Sequence, residues 1–324
     1  MSAVPWVADA SAYMRPKQRR ARKPRPANLS AGQRVGPWRV QDELGRGGMA
    51  AVYAVSHSAF GKRAALKLAH REVLCPEFDA QTFLREARIV HLVDHPGVCD
   101  VFATGTFDGR PYLAMERLRG ETLGQLVDAN RLSRGDAIGI LLQLCDVLAA
   151  AHRAGVVHRD LKLDNVFVQP CGNVKLLDWG VACVVSEPDP MHGMIAGTLT
   201  YMAPEQVACT PLTPAADIYS LGVLAYHLLL GGPPFTADTD LELIKKHVSE
   251  PPPAPATLWP EIPAELAAML VAMLAKDPAS RPSLETVKQT LSRRLSKPRK
   301  ASRLASAAFA SAIALIGAIA AITA

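Results

Sequence analysis

From Trp38 onward the apolar residues fall into short runs separated by glycines and polar turns. Residues 40–44 are a short strand leading into a glycine-rich stretch, after which Val52-Tyr53-Ala54-Val55 returns as a β-branched and aromatic strand. Residues 63–68, 98–106 and 112–115 supply three more, the last two joined by an Asp108-Gly109 turn. Between them, residues 83–90 place apolar side chains at helical spacing. Beyond Leu118 the period changes. Ile138, Leu141, Leu142, Cys145, Leu148 and Ala149 share one face of a helix ending at His152. A strand-rich first part with one helix, followed by a helical second part, is an α+β organisation.

Three stretches stand outside this pattern. Residues 1–33 are rich in Arg, Lys, Pro, Ala and Ser and cannot bury enough apolar surface to order themselves, so a disordered basic tail is expected. It is either solvated or held to an anionic membrane surface. Residues 293–303 read as a basic linker. Residues 304–324 are 21 positions without a charge, enough at a helical rise of 1.5 Å to span about 30 Å of bilayer core. A transmembrane helix is expected there, its rival being an apolar helix docked on the folded domain. The domain itself is assigned to residues 34–292.

Charge sharpens the picture by its distribution. The net charge is +6, yet residues 1–33 hold seven Lys/Arg with one acid, and residues 293–303 hold six with none. The remainder carries 23 basic against 29 acidic residues, so no folded basic face for nucleic acid is expected. The six cysteines show no C-x-x-C pair and no metal-ligand spacing, which suits reduced thiols in a cytosolic domain. The first residues lack a secretory apolar core.

Candidate chemistry concentrates in His158-Arg159-Asp160-Leu161-Lys162-Leu163-Asp164-Asn165, which follows the apolar run Gly155-Val156-Val157. The order H-R-D-L-K-x-x-N resembles the catalytic loop of protein kinases. Phosphoryl transfer calls for a carboxylate near the attacking hydroxyl, here Asp160. It also calls for a carbonyl ligand to a metal ion, Asn165, and a cation near the moving phosphate, Lys162.

The other parts of that resemblance lie in order along the chain. Gly45-Arg46-Gly47-Gly48-Met49-Ala50-Ala51-Val52 is similar to the kinase glycine-rich loop, with Ala50 where a third glycine is usual. A dinucleotide-binding turn is the rival, but it requires a helix directly after the glycines, and here a strand follows. The resemblance makes Gly45, Gly47, Val52 and Ala65 part of the nucleotide site, and Lys67 the cation on the α- and β-phosphates. Glu86 would hold Lys67. Met115 would border the adenine pocket, Glu116 to Leu118 would be the hinge, and Phe167 would floor the pocket. Asp178-Trp179-Gly180 resembles the D-F-G segment with tryptophan replacing phenylalanine, so Asp178 and Asn165 would hold Mg²⁺. Ala203-Pro204-Glu205 resembles the A-P-E segment on the protein-substrate side, with Asp217 and Arg281 in structural roles. His91, His95 and His152 read as ordinary helix-end residues.

Over roughly residues 36–292 the chain is identified as a member of the serine/threonine protein kinases of the bacterial, eukaryotic-like type. That resemblance implies a bilobal fold, a small antiparallel-sheet lobe above a larger helical lobe, with ATP and Mg²⁺ as cofactors and protein substrates. A pseudokinase scaffold would be favoured by loss of Lys67, Asp160, Asn165 or Asp178, and all four are present. A small-molecule kinase is disfavoured by the A-P-E segment. Arg159 is the residue that in many kinases pairs with a phosphate on the activation segment. Between Asp178 and Glu205 the only hydroxyl acceptors of this kind are Ser186, Thr198 and Thr200. Thr198 is expected against Asp160 or Lys162, so activation should depend weakly on loop phosphorylation or use Ser186. The cations ahead of residue 304 place the kinase domain in the cytoplasm of a single-pass membrane protein. Small residues recurring every three or four positions from Ala307 to Ala321 could pair two such helices in a homodimer.

Overall fold

The expected strands pair into one antiparallel sheet. In the computed structural model, which describes residues 29–73, 80–189, 191, 193 and 197–295, this sheet holds β1 (Arg34–Val35), β2 (Trp38–Arg46), β3 (Ala50–His57), β4 (Arg63–Ala69), β5 (Val101–Phe107) and β6 (Arg110–Met115). Their order is β1-β2-β3-β4-β6-β5. Val52 pairs with Lys67, Lys67 with Leu113, and Ala65 with Met115. Cross-strand partners share a face, as do residues two apart on one strand. Val52, Ala65, Lys67 and Met115 therefore lie on the same face. The opposite face packs Tyr53, Leu66, Leu68 and Ala114 against Val35, Trp38 and Val40 as a small core of its own.

Asp108 and Gly109, with φ of 51° and 70°, make the two-residue turn between β5 and β6. Residues 98–100 do not extend β5 as the apolar run suggests. Val98 bridges in parallel to Leu176, its carbonyl accepts from Lys175 Nζ at 3.1 Å, and the Leu176 N–H donates to the Gly97 carbonyl at 2.7 Å. The backbone there is occupied in joining the two halves of the molecule. Helix α1 (Ala80–Val93) buries Phe83, Glu86, Ile89, Val90 and Val93. A carboxylate on that apolar face requires a partner.

The second half contains α2 (Leu123–Asp128), α3 (Arg134–Arg153), α4 (Pro204–Val207), α5 (Ala215–Leu230), α6 (Asp240–Ser249), α7 (Pro255–Leu258), α8 (Ala264–Met273) and α9 (Leu284–Leu295). Short strands β7 (Glu121–Thr122), β8 (Val156–Val157), β9 (Val166–Val168), β10 (Val174–Leu176) and β11 (Cys183–Val184) form two small antiparallel pairings, β10-β9-β7 and β11-β8. Helix α3 starts with a reciprocal cap in which Ser133 and Asp136 bond each other's backbone N–H. It is long and apolar enough to cross a bilayer, but it is a core helix packed against α5 and α9. The small sheet lobe and larger helical lobe agree with the expected architecture.

Both domain boundaries move outward. Leu29 is buried against the small core, its N–H reaching Tyr53 Oη, and Gly32 donates to the Val40 carbonyl at 2.8 Å. At the other end, Arg293 and Arg294 belong to α9 and pair with Glu265. Helical continuity and that carboxylate draw them out of the expected linker. Residues 1–28, and the expected transmembrane helix at 304–324, lie outside the described residues.

One buried group makes the helical half sensitive to acid. His247 on α6 is 1% exposed, with Nδ1 at 3.0 Å from Tyr219 Oη, the Phe235 ring against it and Lys276 behind Tyr219. Burial, with help from the Lys276 charge, pushes the imidazole down to about 4. The unfolded chain takes up this proton near pH 6.5, the folded chain only near 4, so stability falls as pH drops through that window. The loss reaches about 2 kcal/mol by pH 5. Melting temperatures at pH 7 and pH 5 should therefore differ less in His247→Gln than in the wild type.

Candidate active site

Asp217, in the first turn of α5 and fully buried, organises the loop that follows β8. Its carboxylate accepts from the N–H of His158 at 2.9 Å, from the N–H of Arg159 at 3.0 Å and from His152 Nε2 at 2.8 Å. Burial works to raise its pKa, but His152 and these donors hold it below the usual carboxylate value. Arg159 can then keep φ at 71°, a left-handed conformation that costs a non-glycine residue about 1–3 kcal/mol. His152, read from sequence as a helix-end residue, is structural through this contact.

The loop delivers Asp160 with every oxygen engaged. Oδ1 accepts from the Thr198 N–H at 2.8 Å and from Thr198 Oγ1 at 2.9 Å. Oδ2 accepts from Lys162 Nζ at 2.6 Å and from Asn165 Nδ2 at 3.0 Å. Lys162 also reaches Thr198 Oγ1 at 2.9 Å, so Thr198 touches both residues expected of it. The approach requires a glycine. Gly197 has φ of 118°, and a Cβ there would sit 3.1 Å from the Arg159 carbonyl.

Opposite this loop, Lys67 Nζ lies 2.7 Å from Glu86 Oε2 and 2.7 Å from Asp178 Oδ1. The buried Glu86 of α1 thus has its partner. Burial opposes the Lys67 charge, but the two carboxylates outweigh it and hold the ammonium above its ordinary pKa. Lys67 in turn holds Asp178 below the usual carboxylate range. Asp178, with φ of 60°, remains 47% exposed at its side chain. Trp179 behind it is 1% exposed, donates its indole N–H to the Leu176 carbonyl at 3.2 Å and meets the His158 ring edge-on at 4.6 Å. The larger ring fills the slot expected for phenylalanine.

The glycine-rich hairpin joins β2 to β3, with Gly45 paired to Val52 and the Gly47 N–H donating to the Ala50 carbonyl at 2.9 Å. A Cβ at Gly45 or Gly48 would meet nothing within 4 Å, leaving the backbone open to a phosphate. Ala50 pairs with Ala69 and is buried on the same face of the sheet as Val52 and Lys67, so a methyl stands there where a third glycine would leave none. Ala65 is buried, while Val52, Met115, Leu118 and Phe167 are half-buried apolar side chains. Glu116 differs from a simple hinge residue. Its N–H donates to the Asp100 carbonyl at 2.9 Å and its side chain pairs with Lys175 at 2.7 Å, leaving only its carbonyl for a nucleotide. Cys99, whose Sγ touches that carbonyl at 3.7 Å, is pushed by burial up to about 12 and stays a thiol.

Among the described residues no cluster of three or more His, Cys, Asp or Glu forms a metal cage. The donor set fits a hard cation shared with phosphates instead. Asn165 gives its NH₂ to Asp160, leaving its carbonyl oxygen as the ligand, and Asp178 adds an exposed carboxylate. Farther out, Glu205 and Arg281 form a buried bidentate pair at 2.5 and 2.8 Å. Gln206 Nε2 donates to the Arg159 carbonyl at 2.9 Å. Three contacts carry no motif signal in the sequence: Gln206 with Arg159, Asp189 with Arg159, and Glu187 with α1.

A lysine–glutamate pair on a sheet face, a bonded aspartate loop and an exposed second aspartate define a two-lobed phosphotransfer cleft. The chain belongs to the protein kinase family: its residues 38–291 match the protein kinase domain. It is 42% identical over 242 residues to serine/threonine-protein kinase Pkn1 of Myxococcus xanthus, covering 72% of this chain and 35% of that protein. It is 39% identical over 236 residues to serine/threonine-protein kinase PknA of Mycobacterium tuberculosis, covering 70% and 54%. A probable serine/threonine-protein kinase PknB of Lactococcus lactis is 34% identical over 232 residues, covering 71% and 37%. The chain thus spans about a third to a half of the length of these curated relatives.

Proposed function

We propose that this chain is an ATP-dependent serine/threonine protein kinase. The observation that carries the reading is the convergence of Asp160, Lys67–Glu86 and Asp178 with Asn165 on one cleft, each already held by a partner. When bound, the nucleotide with its Mg²⁺ supplies the transferable phosphoryl group. Lys67 would hold the phosphates, Gly45 and Gly47 let the hairpin backbone lie close to them, and Asp178 and Asn165 would be the cation's protein ligands. Val52, Ala65, Met115 and Phe167 supply the apolar slot for the base, with the Glu116 carbonyl and Leu118 at its edge. Asp160 orients the acceptor hydroxyl and takes its proton, while Lys162 offsets charge on the transferred group. Positioning and electrostatics account for the catalysis. The Gly197-Thr198 step and Lys162 favour serine and threonine over tyrosine.

We also propose that residues 304–324 tether the kinase to a membrane on its cytoplasmic side, and can pair two copies. The support is 21 uncharged residues preceded by Lys297, Arg299, Lys300 and Arg303.

Purified chain should transfer ³²P from γ-labelled ATP to serine and threonine of a generic acceptor protein, in a Mg²⁺-dependent way. Lys67→Met should reduce this to background, and unchanged incorporation in that variant would sink the assignment. A wild type that binds nucleotide without transfer would point to a scaffold. Deleting residues 304–324 should move the protein from membrane pellet to supernatant; a full-length protein already in the supernatant would remove the tether.

A further inference from the structure

The activation segment carries two carboxylates where a phosphate would be sought. Glu187 meets α1: Arg88 grips it in a fork at 2.9 and 2.5 Å, and Arg85 Nη2 lies 3.8 Å away. Asp189 meets the catalytic loop, its Oδ2 accepting from Arg159 Nη2 at 2.5 Å and its Oδ1 from the Met191 N–H at 3.0 Å. Arg85 and Arg88 flank Glu86, the partner of Lys67, and Arg159 precedes Asp160. The two carboxylates thus reach both halves of the catalytic machinery from one short stretch.

We propose that Glu187 and Asp189 stand in for a phosphorylated residue, so that the active arrangement forms without modification of the activation segment. This rests on the kinase reading. A phosphoserine or phosphothreonine brings a charge of about −1.5 to −2, and two ionised carboxylates bring the same amount. An ordering phosphate commonly bridges arginines of the catalytic loop and neighbouring elements. Here the bridge is divided, Asp189 serving Arg159 and Glu187 serving α1. Ser186 is the one exposed hydroxyl outside the Thr198-Thr200 turn, and a phosphate there would adjoin Glu187 and repel it. Burial ranks the two contacts. Arg159 and Asp189 are 7% and 21% exposed at their side chains, whereas Arg88 and Glu187 are 58% and 29% exposed. Exposed ion pairs contribute little, and a buried arginine left without its carboxylate is costly. Asp189 is therefore the dominant positioning residue, acting on Asp160 through Arg159.

The test uses full-length protein freed of phosphate by a broad-specificity phosphatase, checked by intact mass. Wild type and Ser186→Ala should keep their activity within about twofold, the spread ordinary for an exposed position. Asp189→Asn should lose about tenfold or more in kcat, with KM for ATP little changed. Asp189→Glu should recover part of that loss, and Asp189→Asn should cost nothing further in an Arg159→Ala background. Amide exchange of residues 179–189 should quicken in Asp189→Asn. A phosphate-free wild type that falls to the level of Asp189→Asn would overturn the proposal, as would an Asp189→Asn protein with wild-type kcat and exchange. If the wild type transfers no phosphate even before phosphatase treatment, the kinase reading fails. The exchange comparison then decides the clasp separately: unchanged protection in Asp189→Asn rejects it.

Discussion

Replacing Asp160 by Asn is expected to lower kcat by about a hundred- to ten-thousandfold, the range for removing a positioned general base, with ATP affinity nearly intact. The carboxylate accepts from Thr198 on one oxygen and from Lys162 and Asn165 on the other. In the amide, the oxygen can keep the Thr198 bonds, but the nitrogen then faces two donors. Lys162 loses its carboxylate and Asn165 one of its two acceptors, keeping the Asp160 carbonyl, so phosphate positioning suffers together with proton acceptance. Steady-state kinetics with nucleotide binding measured separately checks this. A variant that keeps even a third of the wild-type kcat would place the proton acceptor elsewhere.

Arg281→Met should destabilise the protein by about 3–5 kcal/mol, the usual cost of breaking a buried pair by deleting one partner. That is a large share of the about 5–15 kcal/mol that holds a typical domain together. Arg281 has no exposed side-chain area, forks onto Glu205, and donates to the carbonyls of Ala215 and Ala275 at 2.8 and 2.9 Å. Removing it strands the Glu205 carboxylate and three carbonyls, that of Lys276 being the third, inside the helical half. Adding Glu205→Gln should recover part of the loss, because an amide is cheaper to bury unpaired than a charge. Urea denaturation of both variants measures the difference; equal midpoints for Arg281→Met and wild type would contradict it.

The catalytic cluster was legible because phosphoryl transfer restricts residue type and spacing together. Lys67, Glu86 and Asp178 come from three separate segments and Asp160 and Asn165 from a fourth, and the structure brings Lys67 to Glu86 and Asp178, and Asp160 to Asn165. Ala50 stands where a third glycine is usual, and the strand register is what places its methyl on the face shared by Val52 and Lys67. Asp189 and Glu187 stayed hidden for a different reason. Arg159 implies an anion, and in sequence a hydroxyl able to carry a phosphate stands out along the segment, whereas the anions are ordinary carboxylates. The partners of Glu187 on α1 are distant in sequence, and nothing in Arg85 or Arg88 distinguishes them from solvated cations until the helix is placed. Glu116 shows the same limit, since its pairing with Lys175 joins residues 59 positions apart.

Trp179 has a pharmacological consequence. A phenylalanine in its slot would have only packing to hold it, whereas the indole adds the N–H bond to the Leu176 carbonyl and the edge contact with His158. Moving it out exposes the largest of the fully buried side chains and breaks that bond. Compounds that fit only after the aromatic ring has left bind in proportion to the fraction of molecules in that state. At a population of about one per cent their apparent Kd is about a hundredfold weaker than their intrinsic one. Ligand libraries built on that vacated slot are accordingly a poor starting point for this protein. Scaffolds that leave the indole seated and reach instead toward Glu116, Lys175 and Cys99 would meet an ion pair and a buried thiol beside the Glu116 carbonyl.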